Sequence, residues 1–170
     1  NNHSTQNMKI KPTLSLSDII NHPKQLLSEN RPVRSDVIGN LGTASVVTNE
    51  RIEDWLKDRW QAAYNMRGEA IPGEHWLEID LQRPCLITHV LIDWEDAYSD
   101  YWIIQGRNEL SVSQWTDIVS SRQSKTTSKK PKHIIHEVVI SPSASLPIEK
   151  SLFRYVRLLI TGTSTRWGSS

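Results

Sequence analysis

The sequence predicts an all-β protein, an antiparallel β-sandwich, preceded by a short, partly helical arm. Two observations carry this reading. Trp76-Leu77-Glu78-Ile79-Asp80-Leu81 alternates strictly. Leu77, Ile79 and Leu81 therefore share one face of an extended chain, and Trp76, Glu78 and Asp80 the other. The stretch Trp76 to Gln105 then holds three strand signals joined by short polar connections, the rhythm of antiparallel sheets packed face to face.

The chain in order begins with residues 1–32, the arm. Asn1 to Pro12 is polar and unpatterned and is expected to be poorly ordered. From Ser15 to Glu29, Leu16, Ile19, Ile20, Leu26 and Leu27 recur at helical spacing, with Pro23 dividing the segment into two short turns. The sandwich is assigned to residues 33–170. Val33 to Thr48 reads as an early strand with loops, and Trp60 to Tyr64 as a further strand. Gln82-Arg83-Pro84 is expected to end the first alternating run, because Pro donates nothing to a ladder. Leu86 to Trp94 is the second run. Glu95-Asp96-Ala97-Tyr98-Ser99-Asp100 interrupts it as an acidic, aromatic loop before Tyr101 to Gln105. Gly106 to Gln114 reads as a long hairpin connection. Ser120 to Lys132 reads as a polar basic loop. Lys132 to Ile140 and Phe153 to Thr161 read as strands.

Composition bounds the function. In 170 residues, 20 basic side chains face 19 acidic ones, a balance that supplies no general attraction to nucleic acid or to an anionic membrane. No apolar run approaches the roughly 20 residues that span a bilayer. Cys85 is the lone cysteine, so an intramolecular disulfide is excluded and a small buried hydrophobe is expected. The chain opens on Asn1 without a signal-peptide core and reads as a processed or excised piece. Seven Trp against one Phe suit both strand cores and flat platforms for sugar rings.

WLEIDL, ITHVLIDWEDAY, YWIIQGRN and WTDIV, in that order, resemble the discoidin family, also called the coagulation-factor type C domain. The family includes galactose-binding-like carbohydrate-binding modules. Asp58-Arg59-Trp60 is similar to its Thr-Arg-Trp strand start. Arg154-Tyr155-Val156-Arg157-Leu158 and Arg166-Trp167-Gly168 are similar to its penultimate strand and the Trp-Gly turn after it. The resemblance spans Val33 to Ser170 and implies a jelly-roll sandwich, an extracellular or cell-surface setting and a place in a larger chain. The family's last strand has no counterpart before Ser170.

The resemblance also implies a ligand end built from loops. It points to Gln61 and Tyr64 after the Arg-Trp start, to Glu95, Asp96 and Tyr98 (with Asp100) after the Trp94 strand, and to Arg166 and Trp167 at the late turn. Carboxylates accept hydrogen bonds from vicinal hydroxyls, Arg donates to ring oxygens, and an aromatic ring covers the apolar face of a pyranose. Trp60, Trp76, Trp94 and Tyr155 are read as core, while Tyr64, Tyr98 and Trp167 stand between core and platform. Galactose-binding members often carry a His and an Arg where this chain has Gln61 and its acids, so galactose specificity is not carried over. The family also wraps a structural calcium in a glycine-containing acidic loop, and the matching carboxylates are Glu53, Asp54 and Asp58. Calcium takes about six to eight oxygens, and here the loop glycine is missing.

No nucleophile elbow, phosphate loop or His-Glu-x-x-His occurs. Glu95 and Asp96 are adjacent, which suits no glycosidase pair. The expectation is a non-catalytic glycan-binding module with a glycan or glycoprotein as partner. The alternative is an adhesion module for a protein or phospholipid surface. Nucleic acid and membrane are not expected as partners.

Overall fold

A computed structural model describes residues 25–36, 44–49, 54, 57–61, 67, 69, 71–95, 98–110, 113–130, 133–141 and 148–162. Eight strands occur among them. They are β1 (Val33–Ser35), β2 (His75–Leu86), β3 (His89–Trp94), β4 (Tyr101–Arg107), β5 (Thr116–Ser120), β6 (Lys125–Lys130), β7 (His133–Val139) and β8 (Leu152–Gly162). One sheet has the order β1-β2-β8-β4-β5 and the other β3-β7-β6, with every pairing antiparallel. No helix among the described residues is long and apolar enough to cross a membrane.

The alternation seen in the sequence sets the faces. Leu77 and Leu81 are buried, and Leu77 joins Trp102, Ile104, Val119 and Ile160 from its own sheet with Trp94 and Val138 from the other. The core therefore lies between the sheets. Trp60 packs into the same cluster. Trp60, Trp94 and Tyr155 are buried as expected, whereas Trp76 is half-buried on the outer face beneath the Arg34 guanidinium. Cys85 is buried beside Leu81 and Ile87.

Several expectations need correction. Gln82-Arg83-Pro84 does not end a strand: β2 runs through it with a register irregularity between Asp80 and Cys85. Gln82 takes φ 64° there, and its N–H donates to Asp80 Oδ1 at 2.7 Å. The pairing with β1 reaches only Ile79, so no ladder partner on that side needs the N–H that Pro84 lacks. The break falls instead at residues 87–88. The basic stretch after Ser120 is not all loop, since Ser121–Gln123 forms a short helical turn and Lys125–Lys130 is β6. Lys and Thr suit a sheet edge, where charge discourages pairing with another chain. Trp60 and Gln61 lie in irregular backbone rather than a strand. In the arm, residues 25–32 form bends and a turn without helix. They are tied to the sandwich by Asn30 N–H to the Thr48 carbonyl (2.7 Å) and by Arg31 to Gln82. Residues 1–24, with the rest of the helical segment, lie outside the described residues.

The outer face of the larger sheet carries a polar row. Arg34, Glu78, Arg157, Gln105 and Asp117 are successive cross-strand partners over all five strands. Glu78 is buried and accepts from Arg34 (2.6 Å) and Arg107 (3.0 Å). Arg157 donates twice to Gln105, which donates to Asp117 at 2.6 Å. The Trp115 ring rests against both Arg107 and Arg157, 4.2 and 4.3 Å from their Cζ atoms. Burial pushes the Arg157 guanidinium below its usual value, and the neighbouring charge of Arg107 adds to this. One strand step away, two hydrogen bonds from Arg154 hold the Asp80 carboxyl below the usual range.

Gly106 is required by a close approach, because a Cβ there would collide with the Phe153 ring. Gly106→Ala should cost about 1–3 kcal/mol of stability by overpacking. Urea denaturation checks this, and adding Phe153→Leu should restore part of the loss.

Candidate functional site

Strand direction gathers one set of loops at one end of the sandwich. β2 starts there at His75, β3 ends at Trp94, β4 starts at Tyr101 and β8 ends at Gly162. His75 and Trp102 both pair with Ile160, and Tyr101 pairs with Gly162. The segment leading into β2, the loop 95–100 and the exit of β8 therefore share this end.

An ion pair joins the Asp58-Arg59-Trp60 stretch to the loop after β3. Arg59 Nη1 lies 3.0 Å from Glu95 Oε2, with the side chains 16% and 17% exposed. The bond fixes the segment around Trp60 against the loop after β3. Arg59 was legible only as part of a strand start. Its role as a tether needed the fold, since the two residues are distant in sequence. Gln61, next along, is buried. Asp100 is exposed. Tyr64, Asp96, Arg166 and Trp167 lie outside the described residues.

Tyr98 turns toward the interior. It is half-buried against the core and meets His136 edge-on, with centroids 6.0 Å apart at 83°. His136 on β7 is buried among three aromatic rings. Trp102 stacks on it at 29°, Trp94 meets it edge-on, and the Trp102 indole N–H donates to His136 Nδ1 at 3.0 Å. Indole is a donor only, so Nδ1 is the acceptor and the ring proton sits on Nε2.

Two further contacts stiffen this end. His75 is buried, with Nδ1 2.9 Å from Asp36 Oδ2 and Nε2 2.8 Å from the Ile71 carbonyl. Asp36 Oδ1 accepts the Trp76 N–H at 3.0 Å. The ring thus pins the segment entering β2 to the residue after β1. Ser99 is fully buried. Its hydroxyl oxygen accepts the Tyr101 N–H at 3.1 Å and faces the carbonyls of Tyr101 (2.9 Å) and Gly162.

For calcium, Asp54 and Asp58 share one turn. The Lys57 and Asp58 N–H groups donate to the Asp54 carbonyl, at 2.9 and 2.8 Å, and the Asp54 N–H donates to Asp58 Oδ2 at 2.9 Å. Asp54 Oδ2 pairs with Lys57 at 3.0 Å. Glu53 lies outside the described residues, among which no three His, Cys, Asp or Glu cluster closely enough to hold a metal. The two described carboxylates serve the turn and do not by themselves fit a calcium cage.

Comparison with solved structures places this fold among carbohydrate-binding modules. Chitosan-binding module 1 from a chitosanase/glucanase of Paenibacillus sp. IK-5 superposes with a TM-score of 0.59 at 20% identity, covering 86% of this chain and 93% of that one. Module 2 of the same enzyme, in complex with chitotriose, gives 0.54 at 18% identity over 85% and 93%. The family 32 carbohydrate-binding module of Clostridium perfringens NanJ, in complex with galactose, gives 0.55 at 10% identity over 82% and 88%. No protein-family model matches the chain, and no curated protein matches it in sequence. At these identities the likeness establishes the fold, a jelly-roll β-sandwich.

The buried Trp102–His136 bond bridges the two sheets behind this end. His136→Phe keeps a ring but leaves the indole N–H unpaired. The expected loss is about 1–3 kcal/mol, a fall of roughly 2–4 °C in melting temperature per kcal/mol, read by calorimetry.

Proposed function

We propose that this chain is a non-catalytic glycan-binding module whose ligand end is formed by the segment around Arg59 and the loop 95–100. The observation that carries the reading is the Arg59–Glu95 pair, which holds two loop groups together at the end where both sheets deliver their loops. The solved structures with this fold bind chitotriose and galactose, which supports a sugar as the ligand. A rigid sandwich presenting recognition groups on loops suits that task. Glu95 is committed to Arg59, a positioning contact and not the arrangement of a glycosidase acid. The module fits an accessory place in a larger extracellular chain, with a free glycan or a glycoprotein as partner.

The acids Glu95, Asp96 and Asp100 favour a sugar that brings donors: hydroxyls, or the ammonium of an amino sugar. A glycan array followed by titration calorimetry tests this, with chitotriose and galactose as first probes. Glu95→Ala should weaken binding by releasing the segment around Arg59 from the loop after β3. Asp96→Ala should weaken binding about ten- to a hundredfold, the loss of a hydrogen bond to a charged group. Absence of binding to every glycan on the array would overturn the reading.

A structural calcium on Glu53, Asp54 and Asp58 is proposed on the family resemblance alone. It requires a melting temperature higher in excess calcium than in chelator, since a ligand that binds only the folded state stabilises it. Identical melts would remove the site.

A further inference from the structure

Among the described residues, one aromatic side chain is left in water: Tyr101, the first residue of β4, is 62% exposed. The other described aromatics at this end are withdrawn. Trp60, Trp94 and Trp102 are buried in the core, Tyr98 packs against it, and Trp76 is half-buried beneath the Arg34 guanidinium. A single exposed ring means little by itself. Here four separate features hold it out and hold it still.

The first is a register irregularity between Tyr101 and Trp102 in the pairing of β4 with β8. It accompanies the contrast between Trp102, 1% exposed in the core, and its outward neighbour. The second is Ser99. Its buried hydroxyl accepts the Tyr101 N–H and faces the Tyr101 carbonyl, so both backbone polar groups of the tyrosine are engaged by one side chain. The third is Thr161, whose hydroxyl donates to the same Tyr101 carbonyl at 3.2 Å. The fourth is Gly162, the cross-strand partner of Tyr101. A Cβ on residue 162 would stand 3.5 Å from Tyr101 Cβ, an ordinary contact, but 3.2 Å from its Cδ2, closer than a side chain ordinarily comes. Glycine thus leaves room for the tyrosine side chain beside the last residue of β8.

We propose that Tyr101 is the sugar-stacking platform of the ligand end, taking a pyranose that presents an unbroken C–H face, with Asp100 and Thr161 beside it as hydrogen-bonding groups. The inference rests on the glycan-binding reading and names the surface on which the sugar lies. A flat ring has few rotatable bonds, and its backbone is already fixed, so little entropy is lost when a ligand covers it. The tyrosine ring supplies apolar area to the C–H face, while its hydroxyl stays free to meet water or a sugar hydroxyl. Asp100, exposed and one residue away, accepts from hydroxyls or from an ammonium.

The experiment compares the whole chain with Tyr101→Phe, Tyr101→Leu and Tyr101→Ala, using titration calorimetry against chitotriose and methyl β-galactoside and a thermal melt of each protein. Proton resonances of the Tyr101 ring are followed in the wild type. The expected result has the wild type binding one probe, Tyr101→Phe within about threefold of it, and Tyr101→Leu and Tyr101→Ala weakened at least tenfold with melting temperatures close to the wild type. The ring protons of Tyr101 should shift on addition of that sugar. A merely structural role would move the melts and leave the ring protons unmoved by sugar. Sugar binding with the affinity of Tyr101→Ala unchanged, or with no shift of the Tyr101 ring, overturns the platform and leaves the glycan-binding reading standing. Failure of the wild type to bind either probe or any glycan on the array overturns both.

Discussion

The bond from the Trp102 indole to His136 Nδ1, at 3.0 Å, is the contact on which the rest of the sandwich depends. It joins β4 of the five-stranded sheet to β7 of the three-stranded sheet inside the core. Around it, Trp94 and Tyr98 meet the imidazole edge-on. A polar bond at such depth fixes relative position more sharply than apolar packing does, because a displaced partner leaves an unpaired buried group. Once β4 and β7 are held, the end of β3 and the start of β4 are held with them. The loop 95–100 hangs between those two points.

The outer face of the larger sheet solves a different problem. Glu78 and Gln105 are buried there, not on the core side. Their burial is tolerable because each meets an arginine, and because Trp115 covers two of the guanidinium groups. The row from Arg34 to Asp117 crosses every strand, so it reads out the register of the whole sheet: a slip of one residue would send each partner to the opposite face. Polar residues here serve uniqueness of pairing as well as solubility.

The end of the sandwich proposed to hold a ligand is stiff for reasons spread through the chain. His75 ties the entry of β2 to Asp36. Arg59 ties the Trp60 segment to Glu95. Ser99 joins the start of β4 to the end of β8. Each contact spans two segments that meet only in the folded chain. Together they set the positions of side chains that face solvent, which is the condition for recognising a ligand without a large ordering cost.

The sequence by itself determined what depends on local periodicity. The alternation from Trp76 to Leu81 named the core face of β2 correctly, since side chains on a strand point to opposite sides in turn. Apolar runs located β3, β4 and β8, and the resemblance carried by WLEIDL, ITHVLIDWEDAY and YWIIQGRN pointed to the jelly-roll fold. Local pattern failed where a residue's meaning depends on what lies across from it. Pro84 looked like a strand end because sequence does not show that the pairing with β1 reaches no further along β2 than Ile79. Lys125 to Lys130 looked like loop because an edge strand needs no apolar face. Only the tertiary structure paired Arg59 with Glu95, withdrew Gln61 and Tyr98 from solvent, and left Tyr101 outside beside Gly162. Those outcomes are set by cross-strand register and long-range contact, which residue spacing along the chain does not encode.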